Sequence, residues 1–185
     1  MNPFRPPSQA GAAWHFVGLA STFPDIGQDN DDCRISARCK AFKIPTTAHD
    51  PPGAVQADID LPGDLKDQVL VFRYKGKVHA VDHRARALGR RLTPAQQCPH
   101  SSFPLSKGSL FDIEDFGVVL SAGITCSKHD WSFDLFSGQA DRGSYKLKVW
   151  EVQLRDPATT TTTTTEEVSE TVDKEVWVRR KQRIG

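Results

Sequence analysis

The feature that most constrains the fold is a series of short segments in which apolar and polar residues alternate, separated by glycine and proline. The clearest covers residues 145–154 and is typical of a strand with one buried face. Further segments that we predict to be strands lie at residues 33–44, 69–74, 78–82, 116–125 and 172–180. We find no helical periodicity longer than two turns. The pattern therefore predicts an all-β fold, either an antiparallel sandwich or a small barrel.

Two connections between these segments can be predicted. Residues 75–77 (Lys-Gly-Lys) separate two neighbouring segments, which indicates a hairpin with a tight glycine turn. The segments at 145–154 and 172–180 are expected to pair with each other. Between them, residues 156–171 contain seven consecutive threonines followed by acidic residues. Low-complexity sequence of this kind cannot build a core, so it predicts a long solvated loop.

Length and composition fit a single domain. The chain has 185 residues, of which 38% are hydrophobic and 25% charged, so one packed core can form. We expect the domain to span residues 14–185. A flexible tail, rich in proline, glycine and alanine, is expected at residues 1–13. Residues 46–63 contain Pro-Pro-Gly and Pro-Gly and are expected to form a loop.

Charge and hydropathy argue against several classes of protein. The chain has 24 basic and 23 acidic residues, a balance that disfavours nucleic-acid binding. The longest apolar run has about five residues, whereas a membrane span needs about 20. The N-terminus lacks the pattern of a secretory signal. It bears a faint likeness to an organelle transit peptide, but its prolines disfavour the amphipathic helix of such a peptide. With four scattered cysteines, we expect reduced thiols and a cytoplasmic location.

Two Cys/His pairs carry the chemistry of the chain. Cys98 and His100 form the first pair, with one residue between them, and Cys126 and His129 form the second, with two residues between them. Each pair lies where a strand pattern gives way to turn residues, which predicts a position at the tip of a loop. Two thiolates and two imidazoles fit a tetrahedral zinc site. They also fit a mixed-ligand [2Fe–2S] cluster, with the thiolates on one iron and the imidazoles on the other.

The residues that follow each pair help to distinguish these two chemistries. Residues 104–108 read Pro-Leu-Ser-Lys-Gly, and residues 131–138 begin Trp-Ser-Phe-Asp and end in glycine. With these tails, the chain resembles the Rieske family, in particular the soluble Rieske-type ferredoxins, over most of residues 14–154. The resemblance implies a Rieske-like β fold with a cluster-binding two-loop subdomain and one [2Fe–2S] cluster per chain. It assigns Cys98 and Cys126 to the inner iron, and His100 and His129 to the exposed outer iron.

The resemblance also implies a function in one-electron transfer, without a catalytic site of the chain's own. The implied upstream partner is a flavin- or NAD(P)H-dependent reductase, and the implied downstream partner is a terminal oxygenase or a similar enzyme. Two alternatives stay open. The chain is either a component or fragment of a Rieske non-haem iron oxygenase system, or a zinc-binding interaction module. It is too short to add the catalytic iron domain of such an oxygenase.

Several departures from the family pattern bear on the site. Phe103 and Lys128 stand where high-potential Rieske proteins carry a disulfide, which favours the low-potential subclass. Asp130 stands where the family usually has glycine, and aspartate is one of the better-tolerated residues if this position requires a positive φ. The 25 residues between His100 and Cys126 exceed the expected spacing and predict an extended hairpin.

An insertion is predicted at residues 85–97, which carry three arginines and no acidic residue. A basic lip that steers an acidic partner towards the cluster is one interpretation. The favoured interpretation is an unstructured insertion, for which an artefact of sequence assembly is one origin.

The other histidines and cysteines are given weaker roles. His79 and His83 lie on or beside a predicted strand, so their spacing of four is taken as incidental, although His83 is close enough to the insertion to lie near the cluster. Cys33 and Cys39 are expected to be free thiols. Trp131 and Phe133 are expected to pack beneath the loop of the second Cys/His pair.

Overall fold

The computed structural model describes residues 13–27, 33–36, 38–45, 53–59, 68–83, 86–87, 104–128, 130–143, 145–157 and 173–181. These residues form β-strands and two short 3-10 turns, Ala20–Thr22 and Leu105–Lys107. The strands are β1 (His15–Leu19), β2 (Asp25–Ile26), β3 (Cys39–Lys43), β4 (Val55–Ala57), β5 (Gln68–Tyr74), β6 (Lys77–Asp82), β7 (Arg86–Ala87), β8 (Ser109–Asp115), β9 (Val118–Thr125), β10 (Ser132–Asp134), β11 (Tyr145–Lys146), β12 (Trp150–Arg155) and β13 (Glu175–Arg180). The predicted all-β fold is confirmed.

The strands form layered sheets, and no sheet of the described residues closes into a barrel. In the central sheet, β5 pairs with β3 and β2 along one edge and with β6 along the other, and β4 pairs with β3. One outer sheet has the order β1–β13–β12, and the other has the order β10–β9–β8. β11 and β7 form a small two-stranded sheet. The pairing of β12 with β13 confirms the predicted pairing of the last two segments.

β5 is the centre of the core because both of its faces are buried. Leu70 and Phe72 are fully buried and belong to the same apolar cluster as Leu110, Ile124 and Phe133 of the β10–β9–β8 sheet. The opposite face of β5, with Val69 and Val71, belongs to a second apolar cluster. This cluster also contains Val17, Val176 and Val178 of the β1–β13–β12 sheet. A strand buried on both faces needs a continuous apolar run, which the Val-Leu-Val-Phe sequence of β5 provides.

Two-residue turns connect the predicted hairpins. Lys75 and Gly76 join β5 to β6 with φ angles of 46° and 81°, and Phe116 and Gly117 join β8 to β9 with φ angles of 48° and 78°. Two positive φ angles in succession are the mark of a type I′ turn, whose twist matches that of the flanking strands. The second turn closes the extended hairpin that was predicted between the two Cys/His pairs.

Three predicted boundaries were wrong. β4 lies within residues 46–63, which were predicted to be loop. The strand predicted over residues 33–44 begins only at Cys39, because the preceding residues pair elsewhere: Arg34 forms a bridge with Ser109 at the start of β8. The strand predicted over residues 145–154 is interrupted after Lys146.

The interruption has a physical cause in the backbone hydrogen bonds. The Leu147 N–H donates to the Gly138 carbonyl oxygen at 2.7 Å, and the Lys148 carbonyl oxygen accepts the Asp82 N–H at 2.9 Å. Two consecutive residues therefore bond to different parts of the fold, so β11 and β12 cannot be one continuous strand.

Some predictions concern residues outside the described ranges. These are the tail at residues 1–12, the threonine-rich segment at residues 158–172, and all of the insertion except residues 86–87, whose backbone pairs with β11. Within the described ranges, no helix has the length and apolar character needed to cross a membrane.

The layered core predicts a contrast between two valines. Val71 is 0% exposed and Val55 is 49% exposed. We expect Val71→Ala to lower the free energy of unfolding by about 2–3 kcal/mol, because it removes buried methyl groups and leaves a cavity. Val55→Ala should change it by less than about 0.5 kcal/mol. Thermal or urea unfolding measures both effects, and equal losses would contradict the assignment of β5 to the core.

Candidate metal centre

Cys126 lies directly after the last residue of β9, at the start of a tight turn. Its N–H donates to the Trp131 carbonyl oxygen, and its carbonyl oxygen accepts the Asp130 N–H, both at 2.9 Å. The Cys126 side chain is buried, 1% exposed, whereas Ser127 and Lys128 are exposed. Cys126 forms no disulfide, and neither do the other described cysteines. The turn therefore combines a buried, unmodified thiol with an exposed tip.

Asp130 closes this turn in a left-handed backbone conformation. Its φ is 53°, which confirms that this position requires the positive φ expected from the usual glycine. Aspartate tolerates this region better than most residues because its side chain is short and polar. The Asp130 carbonyl oxygen also accepts a hydrogen bond from Nη2 of Arg142 at 3.1 Å, which ties the turn to the following segment.

Aromatic residues support the turn from below. Phe133 is fully buried, and Trp131 packs against the same apolar cluster. The Trp131 ring meets the Tyr145 ring edge to face, with centroids 4.6 Å apart, and the Arg142 guanidinium lies 5.9 Å from the Trp131 centroid. The predicted core position is confirmed for Phe133, which shares its cluster with Cys126, whereas Trp131 is only partly buried and packs against that cluster.

Residues 134–138, which follow the second Cys/His pair, form a compact turn that is stabilised by Asp134 and requires glycine at position 138. Asp134 Oδ1 accepts the N–H groups of Phe136 and Ser137. Burial alone would raise the pKa of Asp134, but these bonds and one from Ser121 stabilise the carboxylate and hold the pKa below its usual value. Gly138 has a φ of 74°, and a Cβ there would lie 2.0 Å from the Leu147 carbonyl oxygen. Only glycine fits at this position.

Residues 104–108, which follow the first Cys/His pair, contact the end of β9 just before the second pair. Leu105, the first residue of a 3-10 turn, is fully buried. Gly108 follows this turn, and a Cβ at Gly108 would lie 2.6 Å from the carbonyl oxygen of Thr125. Because Ser109 pairs with Thr125 and Thr125 immediately precedes Cys126, the segments that flank the two pairs lie in contact, and Gly108 allows the close approach.

His83 anchors the same tail to the central sheet. Its ring is fully buried, with Nδ1 2.9 Å from Gln68 Oε1 and Nε2 2.9 Å from Ser106 Oγ. Since an amide oxygen can only accept, Nδ1 donates to Gln68 and Nε2 accepts from the Ser106 hydroxyl. The His83 carbonyl oxygen also accepts the Leu105 N–H at 3.2 Å. Burial lowers the pKa of His83 to about 4, so the ring is neutral at pH 7. The sequence analysis did not predict that His83 bonds to both Gln68 and Ser106.

The structure describes one of the four predicted ligands. Cys98, His100 and His129 lie outside the described residues, so their convergence with Cys126 stays a prediction. Within the described ranges, no group of three or more His, Cys, Asp or Glu side chains could hold a metal ion. The described residues fit a cluster of the predicted kind. A buried thiol is present, the segments flanking the two pairs are in contact, and cysteine with histidine is a known donor set for [2Fe–2S].

The remaining histidine and cysteines that the sequence analysis considered, His79, Cys33 and Cys39, lie in the β-sheet core or beside it. His79 stacks on Phe72, with ring centroids 5.8 Å apart, and burial together with nearby Lys77 lowers its pKa to about 4. Cys39 is buried in the core and Cys33 is partly exposed.

Comparison with known proteins identifies the family. The family model of the Rieske [2Fe-2S] domain matches residues 54–151, which is more than half of the chain and spans both Cys/His pairs. The chain therefore belongs to the Rieske [2Fe–2S] family. Membership implies a [2Fe–2S] cluster as cofactor and supports a role in electron transfer.

Other comparisons add little. No curated protein matches the chain. Among solved structures, the crystal structure of a candidate NADH-dependent nitrite reductase small subunit from Mycobacterium tuberculosis is 13% identical, with 90% of this chain and 95% of that chain covered and a TM-score of 0.39. This similarity is too low to support an inference about fold or function.

The left-handed conformation of Asp130 predicts which substitutions it tolerates. Asp130→Gly should change the free energy of unfolding by less than about 1 kcal/mol, because the relief of strain is offset by the greater freedom of glycine in the unfolded chain. Asp130→Val should lower it by about 1–3 kcal/mol, because a β-branched residue is strongly disfavoured at positive φ. Thermal unfolding measures the difference, and equal effects of the two variants would contradict the assigned backbone conformation.

The buried, neutral His83 predicts a dependence of stability on pH. Its pKa is about 4 in the folded chain, against 6.5 for an unperturbed histidine, so the unfolded chain binds more protons between these values. Stability from this group is therefore present above pH 6.5 and is lost as pH falls, by up to about 1.4 kcal/mol per pH unit.

A comparison of wild type with His83→Gln isolates this effect, because glutamine can bond to the same partners but does not titrate. We expect the melting temperature of the wild type to fall more between pH 7 and pH 5 than that of the variant. His79 is present in both proteins, so its contribution cancels in the difference. Equal falls would show that His83 is not held neutral by burial.

Proposed function

We propose that the chain is a one-electron carrier that accepts electrons from a flavin- or NAD(P)H-dependent reductase and passes them to a terminal oxygenase or a similar enzyme. In this proposal Cys98 and Cys126 hold the inner iron of the cluster, and His100 and His129 hold the outer iron. The supporting observation is the family match over residues 54–151, which contains both pairs. The buried thiol of Cys126 is consistent with a ligand to the inner iron.

A bound [2Fe–2S] cluster supplies a centre that gains and loses one electron at a time. The chain sets how readily this occurs through the charge of its donors. Two neutral imidazoles in place of two thiolates remove two negative charges from the donor set, which raises the reduction potential relative to all-cysteine ligation. Without the loop disulfide of the high-potential proteins, we assign the chain to the low-potential subclass.

In this proposal the chain also shields the side of the cluster that faces the protein core and leaves the side at the loop tips accessible to partners. Phe133 and Leu105 are fully buried and belong to the same apolar cluster as Cys126. In the turn that follows Cys126, Ser127 and Lys128 are exposed. We therefore propose that partners dock on the side of the loop tips, where His100 and His129 bring the outer iron closest to the surface.

Metal analysis and spectroscopy test the proposed cofactor and ligands. The purified protein should be red-brown, with about two irons and two acid-labile sulfides per chain. Its reduced form should give an electron paramagnetic resonance signal with the low average g value of mixed His/Cys ligation. One zinc without visible absorbance would contradict the proposal and support the zinc-binding module instead.

Matched substitutions test each ligand. Cys98→Ser, Cys126→Ser, His100→Gln and His129→Gln should abolish the cluster or change its spectrum strongly. Cys33→Ser and His79→Gln remove the same side-chain types elsewhere and should leave the spectrum unchanged. A normal spectrum in any of the four ligand variants would remove that residue from the set.

The partner assignment has its own test. The chain contains no glycine-rich nucleotide-binding fingerprint, so NADH or NADPH alone should not reduce the cluster within minutes. Addition of a flavin-dependent ferredoxin reductase should accelerate its reduction by at least 100-fold. Equally fast reduction without the reductase would contradict the assigned upstream partner.

A further inference from the structure

The end of the β8–β9 hairpin is an exposed apolar surface. Nine large hydrophobic side chains are exposed in the described part of the chain, and five of them belong to this hairpin or to the neighbouring loop. Isolated exposed apolar residues are normal, but a contiguous group marks a contact surface. We call this group the hairpin patch; its members are Phe116 (100% exposed), Val118 (60%), Val119 (52%), Leu120 (66%) and Phe136 (71%).

The patch lies on an unprotected strand edge. β10 pairs with β9 only from Gly123 to Thr125. Residues 118–120 therefore have no strand partner among the described residues on the side away from β8. Natural sheet edges are usually protected by charged residues or proline, and β9 has neither from Val118 to Thr125. An uncharged apolar edge of this kind favours pairing with another strand.

A groove of about 430 Å³ lies beside the patch and has a cationic rim. Val119, Leu120 and Phe136 contribute to its wall, and Lys77 and Lys181 also line it. Neither lysine has a carboxylate partner among the described residues. The acids that line the groove are already paired, Asp112 with Lys75 and Glu151 with Arg179. The groove therefore complements an apolar segment with negative charge.

The tip of the same hairpin has this chemistry. Phe116 lies at the turn, and the exposed Glu114 and Asp115 end β8 directly before it. The chain thus carries an acidic, aromatic tip and a cationic, apolar groove next to each other on one surface. Such a surface is self-complementary, as a two-fold symmetric contact requires.

We propose that the hairpin patch is a dimer interface in which residues 118–120 of two copies pair in antiparallel fashion about a two-fold axis at Val119. This register sets Val118 opposite Leu120, and Phe116 opposite Ala122. The acidic tip of each copy then lies against the groove of the other, with Asp115 close to Lys181. The β8–β9 hairpins of the two copies form one continuous sheet, and each open edge is covered.

The arrangement keeps the predicted metal centres apart and accessible. Cys126 lies seven residues beyond Val119 along the strand direction, roughly 23 Å at the usual rise of a strand. The axis is at the opposite end of β9 from the cluster loops. This interface therefore does not depend on the proposed function, because it uses no residue of the proposed ligand set.

Sedimentation equilibrium of the full-length, cluster-loaded protein tests the interface. We expect a mass of twice 20.5 kDa in the micromolar range. Leu120→Lys should raise the dimer dissociation constant at least tenfold, because it inserts charge into the centre of the contact. Val55→Lys is the matched control, since Val55 is 49% exposed on β4, and it should leave the constant unchanged. Both sites are exposed, and the melting temperature checks that both variants fold.

A charge exchange tests the register. Lys181→Glu should weaken the dimer at least threefold, and the further substitution Asp115→Lys in the same chain should restore it. A wild type that is monomeric at every concentration would overturn the proposal and indicate that a different partner covers the patch. Equal dimerisation of Leu120→Lys and Val55→Lys would also overturn it, and so would failure of the second charge substitution to restore the dimer.

Discussion

The close contact between Gly108 and the carbonyl oxygen of Thr125 is the constraint on which the metal centre depends. The pairing of Ser109 with Thr125 places the two segments side by side, and a Cβ at Gly108 would lie 2.6 Å from that oxygen, so this approach requires glycine. The contact acts through the backbone and belongs to the protein itself. Strand pairing and this close approach together hold the flanks of the two Cys/His pairs side by side.

The two apolar clusters of the fold differ in their relation to the predicted metal centre. The cluster of buried residues on one face of β5 contains Cys126, Leu105 and Phe133, and so it carries the predicted metal centre. The cluster on the other face joins Val69 and Val71 of β5 to residues of β3 and β6 and to residues of the β1–β13–β12 sheet. β5 contributes side chains to both clusters. The cluster that contains Cys126 and the cluster behind it are therefore joined through one strand.

The sequence was sufficient where local rules decide the structure. The lysine–glycine turn before β6 and the all-β class follow from turn chemistry and strand patterning, which depend on neighbouring residues only. The positive φ at Asp130 was expected from the glycine that the family usually has at this position. Local rules failed where the partner is distant in sequence. The break between β11 and β12 arises because Leu147 bonds to Gly138 and Lys148 to Asp82.

His83 is the clearest functional example of the same limit. On sequence alone it is a histidine at the end of an alternating segment. Its role depends on Gln68 and Ser106, which are 15 and 23 residues away, and no short motif joins the three. The convergence of the four predicted ligands rests on family resemblance, since Cys98, His100 and His129 lie outside the described residues.

The pairing of β7 with β11 gives the insertion a mechanical connection to the metal centre. Ala87 pairs with Tyr145, and the Tyr145 ring supports Trp131 beneath the turn of Cys126. The insertion precedes the first Cys/His pair in the chain, yet it is joined by hydrogen bonds to the support of the second. The backbone of Arg86 and Ala87 is therefore connected, through Tyr145 and Trp131, to the turn that carries Cys126.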